Sequence, residues 1–150
     1  MLNITIICVG NIKEAYLRDA ISEYSKRLGA FCRLTIKEIK SNENKHFEAD
    51  TAEILSLIPP KSYKIALCVE GIQLSSEELA VKLETLPNEG YSDIAFIIGG
   101  SNGLDEVIKR NCSLRLSFSK MTFPHQLMRV ILTEQIYRAF TIINGGKYHK

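Results

Sequence analysis

Five short apolar runs alternate with segments of helical pattern along this chain of 150 residues, and this alternation limits the possible folds more than any other feature. The first run, 2–9, is rich in β-branched residues, as buried strands are, and the second, 32–39, alternates apolar and polar residues, as a half-exposed strand does. The segments between the runs instead repeat apolar residues three or four positions apart. A strand followed each time by a helix is typical of a mainly parallel sheet with helices on both faces. We therefore predict an α/β fold with strands at 2–9, 32–39, 63–69, 93–98 and 114–118.

Local sequence marks the helices between these strands. Gly29 ends the first helix, and the Pro59-Pro60 pair ends the second. Ser75 and Glu78 are predicted to form a capping box at the start of the third. The helices are predicted at 17–28, at 47–58, from 75 to 87, up to about 109, and at 124–144, with a polar loop at 41–45.

Composition indicates a single globular domain covering residues 1–150. Its 45% hydrophobic and 24% charged residues are ordinary for a chain that folds around its own core. No apolar run is long enough to cross a bilayer and the first residues carry no basic stretch, so we expect a cytoplasmic protein without a membrane contact. The net charge of +2 neither requires nor excludes a nucleic-acid partner.

The four cysteines lie far apart and include no C-x-x-C pair. Three of them lie within or beside apolar runs, where cysteine behaves as a small hydrophobic residue. We therefore expect neither a disulfide framework nor a metal site.

The last predicted helix, 124–144, is apolar around most of its circumference. Such a helix is buried on more than one side, and in a chain of this size a second subunit is the simplest cover. We therefore expect a homodimer. Glu134 and Arg138 have the spacing of an exposed i,i+4 ion pair on this helix.

Three of the predicted strands end in unusual sequence. Glu70-Gly71 follows the third strand, Gly99-Gly100 follows the fourth, and the loop 119–123 follows the fifth. Ligands of parallel sheets bind outside the carboxyl ends of the strands, so these segments are predicted to form the walls of one site. The loop contains a hydroxyl, a cation and apolar side chains in place of the usual turn residues, which suits a ligand that is partly aromatic and partly polar.

Other chemistries have weaker support. The glycines at 99–103 lack the G-x-G-x-x-G spacing of a dinucleotide site, and they also fit a simple strand-to-helix turn. A Ser119–His125 nucleophile pair lacks the strained elbow of hydrolases. His125 alone fits helix packing as well as catalysis, and His46 has no partner at metal-ligand spacing.

The C-terminal residues 145–150 have two interpretations. They fit a frayed terminus, as chain ends often are. They also fit contact with RNA, because Tyr148 and His149 can stack on a base and lysine can meet phosphate.

Four groups of residues form a specific combined pattern. They are Gly99-Gly100-x-x-Gly103-Leu104, Ser119-x-Met121-Thr122-x-Pro124-His125-Gln126-Leu127-x-Arg129, Glu134-Gln135-x-Tyr137-Arg138-Ala139 and Tyr148-His149-Lys150. Together with the chain length and the order of elements, they resemble the RlmH family of SPOUT methyltransferases. Ser101 and Lys147 depart from that pattern, since each stands where family members often have proline.

The resemblance implies an enzyme that transfers a methyl group from S-adenosylmethionine to N3 of a pseudouridine in helix 69 of bacterial 23S ribosomal RNA. It also implies a C-terminal trefoil knot and a homodimer. Because the net charge of +2 gives one subunit little grip on RNA, we expect recognition to need the dimer and the assembled ribosome or its large subunit. The cofactor contacts that it implies are Leu67, Gly99, Phe118, Ser119, Lys120, Met121, Thr122 and Phe123. These residues fall at the three strand ends selected above.

Roles in the reaction follow from the same hypothesis. His149 would assist loss of the proton from N3, Tyr148 would stack on the base, and Arg129 would stabilise negative charge. The residues expected to contact the substrate RNA are His125, Arg138 and Lys150. One alternative is a ribosome-binding module that keeps the fold without the reaction, and another is a nucleotide-binding α/β domain.

Overall fold

The computed structural model describes residues 1–40 and 47–150. Its elements are β1 (Asn3–Val9), α1 (Ala15–Leu28), β2 (Arg33–Ile39), α2 (Phe47–Leu57), β3 (Tyr63–Gln73), α3 (Ser76–Thr85), a 3₁₀ turn (Leu86–Glu89), β4 (Asp93–Ile98), α4 (Glu106–Arg110), β5 (Leu114–Ser117) and α5 (His125–Ile143). The predicted loop at 41–45 and His46 lie outside the described residues. Elsewhere the predicted order of strands and helices is confirmed.

The described strands form one five-stranded parallel sheet in the order β2-β1-β4-β3-β5. Along β1, Ile4 and Ile6 belong to the core shared with α1, α3 and α5, whereas Ile7 and Val9 belong to the core shared with α2 and α4. Because both faces of the strand are buried, its sequence is mostly apolar rather than strictly alternating. The predicted α/β fold, with a parallel sheet and helices on both faces, is confirmed.

α3 begins at the predicted capping box. The Ser75 hydroxyl accepts a hydrogen bond from the Glu78 N–H at 3.0 Å, and the Glu78 carboxylate accepts one from the Ser75 N–H at 2.9 Å. These bonds satisfy two N–H groups at the start of the helix. The Ser76 hydroxyl also bonds to the Gln135 side chain at 2.7 Å, which ties the start of α3 to α5.

β3 extends to Gln73, four residues beyond the predicted end of the strand. Its pairing with β5 changes register, because Leu67 and Ile72 lie opposite the same residue of β5. A Cβ atom at Gly71 would come within 2.6 Å of backbone atoms of Arg115. The prediction that the strand ends before Gly71 is wrong, because this glycine lets an irregular strand approach its neighbour closely.

α5 packs one face against α1 and α3. Leu132, Ile136 and Ala139 are buried on that face. Apolar side chains elsewhere on the helix remain accessible, since Ile131 is half-buried and Leu127 is 38% exposed. A second subunit over this surface remains a prediction, as does the trefoil knot.

The described part of the chain contains no helix with the length and apolar character needed to span a membrane. All four cysteines are free thiols. No cluster of three or more histidine, cysteine or acidic side chains suited to a metal ion occurs among residues 1–40 and 47–150.

Candidate functional site

A cleft of about 230 Å³ lies beside residues 67–70 of β3 and at the carboxyl ends of β4 and β5. These three strands are neighbours in the parallel sheet, so the segments that follow them lie side by side. Residues of the three segments selected from the sequence therefore meet in one cleft, although the first segment lies inside β3. Seven of the eight residues expected to contact a cofactor line it, namely Leu67, Gly99, Phe118, Ser119, Met121, Thr122 and Phe123.

The loop after β5 is held by hydrogen bonds from two serines. The Ser117 hydroxyl donates to the carbonyl of Ser119 at 3.0 Å, and the Ser119 hydroxyl accepts from the N–H of Met121 at 3.0 Å. The hydroxyl of Ser119 therefore stabilises its own loop. Lys120 is exposed and is the one expected cofactor residue that does not line the cleft.

Gly99 lies where the end of β4 contacts the turn that follows it. A Cβ atom here would come within 2.5 Å of the carbonyl group of Gly103. Gly103 has a φ of +73°, which favours glycine, and its N–H donates to the carbonyl of Gly100 at 3.0 Å. The glycines thus form the predicted strand-to-helix turn and also line the cleft, while contact with a ligand stays a prediction.

An ion pair contributes to the wall of the cleft. Lys109 of α4 donates from Nζ to Oε1 of Glu70 at 2.5 Å, and both residues line the cleft. This hydrogen bond lowers the pKa of Glu70 and raises the pKa of Lys109. Both side chains are therefore charged near neutral pH.

His125 occupies the first turn of α5 and lines the cleft. Burial lowers the pKa of this histidine, and the positive charge of Arg129 lowers it further. The imidazole is therefore neutral near pH 7, with one nitrogen that donates a hydrogen bond and one that accepts.

Arg129 is buried between α5 and the ends of two strands. Its side chain is 1% exposed, with Nη1 2.5 Å from Oε2 of Glu38 and Nη2 2.9 Å from the carbonyl oxygen of Gly10. Arg129 does not line the cleft. These contacts attach the start of α5 to β1 and β2. The catalytic role predicted for Arg129 stays a prediction.

The C-terminal tail, residues 147–150, packs against α3 and α5 of its own chain. His149 lies 3.0 Å from Nη1 of Arg138 through Nδ1 and 2.5 Å from Oε1 of Glu77 through Nε2. The Tyr148 hydroxyl donates to Oε1 of Glu134 at 3.2 Å, and the Arg138 guanidinium lies 4.7 Å from the centre of the Tyr148 ring. These contacts favour a packed tail over a frayed one.

The tail also covers the predicted ion pair on α5. Arg138 and Glu134 do pair, at 2.7 Å, but their side chains are only 25% and 16% exposed. The prediction of an exposed pair is therefore wrong, because Tyr148 and His149 of the tail, which lie outside the helix, shield it from solvent. Tyr148, His149 and Lys150 do not line the cleft of their own chain.

Comparison with known proteins identifies the family. The family model described as "Predicted SPOUT methyltransferase" matches residues 2–149. A relative from Bifidobacterium adolescentis named ribosomal RNA large subunit methyltransferase H is 51% identical, over 99% of this chain and 100% of the relative. This chain belongs to the RlmH family of SPOUT methyltransferases. A protein of the same name from Streptococcus equi subsp. zooepidemicus is 46% identical over the same shares of both chains.

A solved structure supports the SPOUT fold of this RlmH-family chain. A probable methylase family protein from Haemophilus influenzae superposes with a TM-score of 0.57, over 99% of this chain and 71% of that chain. The two sequences are 15% identical, so this likeness concerns the fold alone.

Sequence reasoning about this RlmH-family chain missed some residues that line the cleft. Cys68, Lys109 and Met128 were not among the predicted site residues, although all three line it. Lys109 lies in the short helix that follows the glycine turn, and that position is the one sequence feature that points to it. Cys68 and Met128 have no such feature, since each belongs to an apolar pattern that also fits a core residue.

Proposed function

We propose that this RlmH-family chain is an S-adenosylmethionine-dependent enzyme that methylates N3 of a pseudouridine in helix 69 of bacterial 23S ribosomal RNA. The observation that supports this most directly is the cleft beside β3 and at the ends of β4 and β5, which is lined by seven of the eight residues expected to contact the cofactor. The relatives named ribosomal RNA large subunit methyltransferase H support an acceptor in the RNA of the large ribosomal subunit.

The side chains of the cleft suit a ligand with an aromatic base and no phosphate. Leu67, Ile98 and Leu116 supply apolar walls, and the glycine turn at 99–103 brings backbone N–H and C=O groups to the cleft. Such walls with a few polar groups are typical of small-molecule sites. When bound, S-adenosylmethionine supplies a methyl group activated by its positively charged sulfur.

Alignment is the main catalytic task in this proposal. Methyl transfer by in-line displacement needs the donor and N3 held on one line, and that orientation removes much of the entropic barrier. N3 must also lose its proton. In this proposal His149 assists the loss of that proton and Tyr148 stacks on the pseudouridine. Lys150 and Arg138 contact the RNA. His125, neutral at the edge of the cleft, organises the site and contacts the RNA.

The packing of the tail favours a homodimer in this proposal. Tyr148 and His149 bond to α3 and α5 of their own chain and do not line its cleft. We therefore place them at the cleft of a second subunit, with an interface that includes the accessible apolar residues Leu127 and Ile131 of α5. Arg129 then holds the start of α5 in place and does not touch the substrate.

A C-terminal trefoil knot and a cytoplasmic location belong to the same proposal. Membership of the SPOUT family supports the knot. A substrate in the large ribosomal subunit supports the location, because ribosomes work in the cytoplasm. No metal ion takes part in the proposed reaction.

Methylation of ribosomes tests the proposal. The purified chain would be incubated with methyl-labelled S-adenosylmethionine and ribosomes that lack the modification, and the labelled nucleoside would be located by nuclease digestion and mass spectrometry. We expect label on N3 of a pseudouridine in helix 69. Label at another nucleoside would contradict the assigned position. Absence of label, together with absence of calorimetric binding of S-adenosylmethionine, would favour a ribosome-binding module without catalysis.

Isolated stem-loop RNA provides a second arm of this experiment. A net charge of +2 gives one chain little general attraction for phosphates. We therefore expect isolated helix 69 RNA to be methylated much more slowly than ribosomes. Equal rates would contradict recognition of the assembled particle, while leaving the chemistry of the cleft intact.

A further inference from the structure

The ion pair of the cleft has no role in the function proposed above. Among the described residues that line the cleft, Glu70 and Lys109 are the acidic and the basic side chain. They are hydrogen-bonded at 2.5 Å. The Lys109 side chain is 16% exposed and that of Glu70 is 53% exposed. The pair therefore lies between the interior of the cleft and solvent.

The pair joins two elements that are distant in sequence. Glu70 and Lys109 are 39 positions apart, one in the irregular part of β3 and the other in the last turn of α4. The backbone of β3 is fixed at this point, because the next residue, Gly71, packs directly on the backbone of β5. A partly exposed ion pair contributes little to folding stability. Stability alone is therefore a weak reason for two charges at this position.

We propose that Glu70 and Lys109 bind the amino-acid end of the methyl donor, an inference that rests on the proposed function. That end carries an α-ammonium and an α-carboxylate. The Glu70 carboxylate would accept hydrogen bonds from the ammonium, and the Lys109 ammonium would donate to the carboxylate. The adenosine end carries no full charge and suits apolar side chains such as Ile98 and Leu116, which are buried.

If Glu70 and Lys109 bind the donor in this way, each residue should affect the affinity only for ligands that carry the charge it contacts. A ligand that has the ammonium but no carboxylate needs Glu70 and gains nothing from Lys109. A ligand that lacks both charges leaves the two side chains paired with each other. Affinity for such a ligand is then independent of either residue.

Calorimetric titration with three ligands tests the assignment. S-adenosylhomocysteine has both charges, decarboxylated S-adenosylmethionine has the ammonium without the carboxylate, and 5′-methylthioadenosine has neither. We expect Glu70→Gln to lower the affinity for S-adenosylhomocysteine and for decarboxylated S-adenosylmethionine about tenfold. Lys109→Met should lower the affinity for S-adenosylhomocysteine alone, by about as much, since each change removes one charge-assisted hydrogen bond. Both variants should bind 5′-methylthioadenosine within about twofold of wild type, which also shows that they fold.

A matched control is available on α1. Glu23 is 53% exposed, as Glu70 is, and pairs with Arg27 at 3.1 Å, but it does not line the cleft. Glu23→Gln should leave the affinity for all three ligands unchanged. An exchange variant, Glu70→Lys with Lys109→Glu, keeps the two charges paired and should still bind S-adenosylhomocysteine poorly.

The outcomes separate this inference from the function on which it rests. Three results would overturn the assignment and leave Glu70 and Lys109 a structural pair. They are equal losses of affinity for S-adenosylhomocysteine and 5′-methylthioadenosine, no loss of affinity in either single variant, and wild-type affinity for S-adenosylhomocysteine in the exchange variant. If wild type binds none of the three ligands, the proposed methyltransferase function itself is overturned.

Discussion

Replacement of Gly71 by alanine gives a sharp test of how β3 is positioned beside the cleft. The added Cβ would lie 2.6 Å from the carbonyl carbon and oxygen of Arg115 and 2.8 Å from the nitrogen of Leu116. All three are backbone atoms of β5, so no flexible side chain can move away. Ordinary contact begins at 3.4 Å, which means that the two strands must separate by about 0.8 Å.

The expected effect is a loss of about 2–3 kcal/mol in the free energy of unfolding, at the upper end for an overpacked buried site. For a chain of this length that corresponds to a fall in melting temperature of roughly 5–10 °C. Calorimetric or circular dichroism melting measures it. Because Glu70 and Leu67 of the same strand line the cleft, affinity for S-adenosylhomocysteine should fall as well.

Gly29 supplies the control for this substitution. It has a right-handed helical conformation with φ of −57°, and a Cβ there would lie 3.3 Å from its nearest neighbour, the carbonyl oxygen of Lys26. Gly29→Ala should change the free energy of unfolding by less than about 1 kcal/mol. If Gly71→Ala were as stable as Gly29→Ala, the close approach of β3 to β5 would be refuted.

Three further predictions concern α5 and the tail. Arg129→Met removes the buried partner of Glu38 and should lower the free energy of unfolding, measured by urea denaturation, by about 2 kcal/mol, because Glu38 itself is 44% exposed. The affinity for S-adenosylhomocysteine should not change. A large loss of affinity at normal stability would show that Arg129 contributes to the cleft. Burial, aided first by the interaction with Tyr24 and then by the negative charge of Glu134, raises the pKa of Tyr148 from 10.0 to about 12, so the contribution of Tyr148 to stability is complete below pH 10 and is lost as pH rises through 12. Tyr148→Phe should therefore lose less stability than wild type over that interval, and parallel pH profiles would contradict the packed position of the tail. Replacement of Tyr148 and His149 together by alanine should abolish methylation of ribosomes without lowering the affinity for S-adenosylmethionine. Full activity of this variant would show that the tail takes no part in the reaction.

Much of the fold follows from local sequence because its determinants are local. β1 and β4 are largely apolar runs rich in isoleucine, and α3 begins at a capping box whose two hydrogen bonds join Ser75 to Glu78. The site walls were also predictable, since neighbouring parallel strands end at one edge of the sheet. Sequence alone did not give the order of strands, but the unusual residues at 70–71, 99–100 and 119–123 were enough to predict that these segments form one site.

The errors arose where distant segments decide the environment. Gly71 has the sequence of a turn, but its contact with the backbone of Arg115 places it inside β3. The pair of Glu134 and Arg138 is covered by a tail that no helical pattern specifies. The contacts of Arg129 could not be read from the sequence either, because its partners Glu38 and Gly10 lie 91 and 119 positions away.

A crystal structure of the chain with S-adenosylmethionine tests the central claim most directly. We expect the adenosyl group between the glycine turn at 99–103 and the loop at 119–123, in contact with Leu67. Density for the cofactor at another surface of the chain, or none at saturating concentration, would contradict the proposed site and with it the proposed reaction.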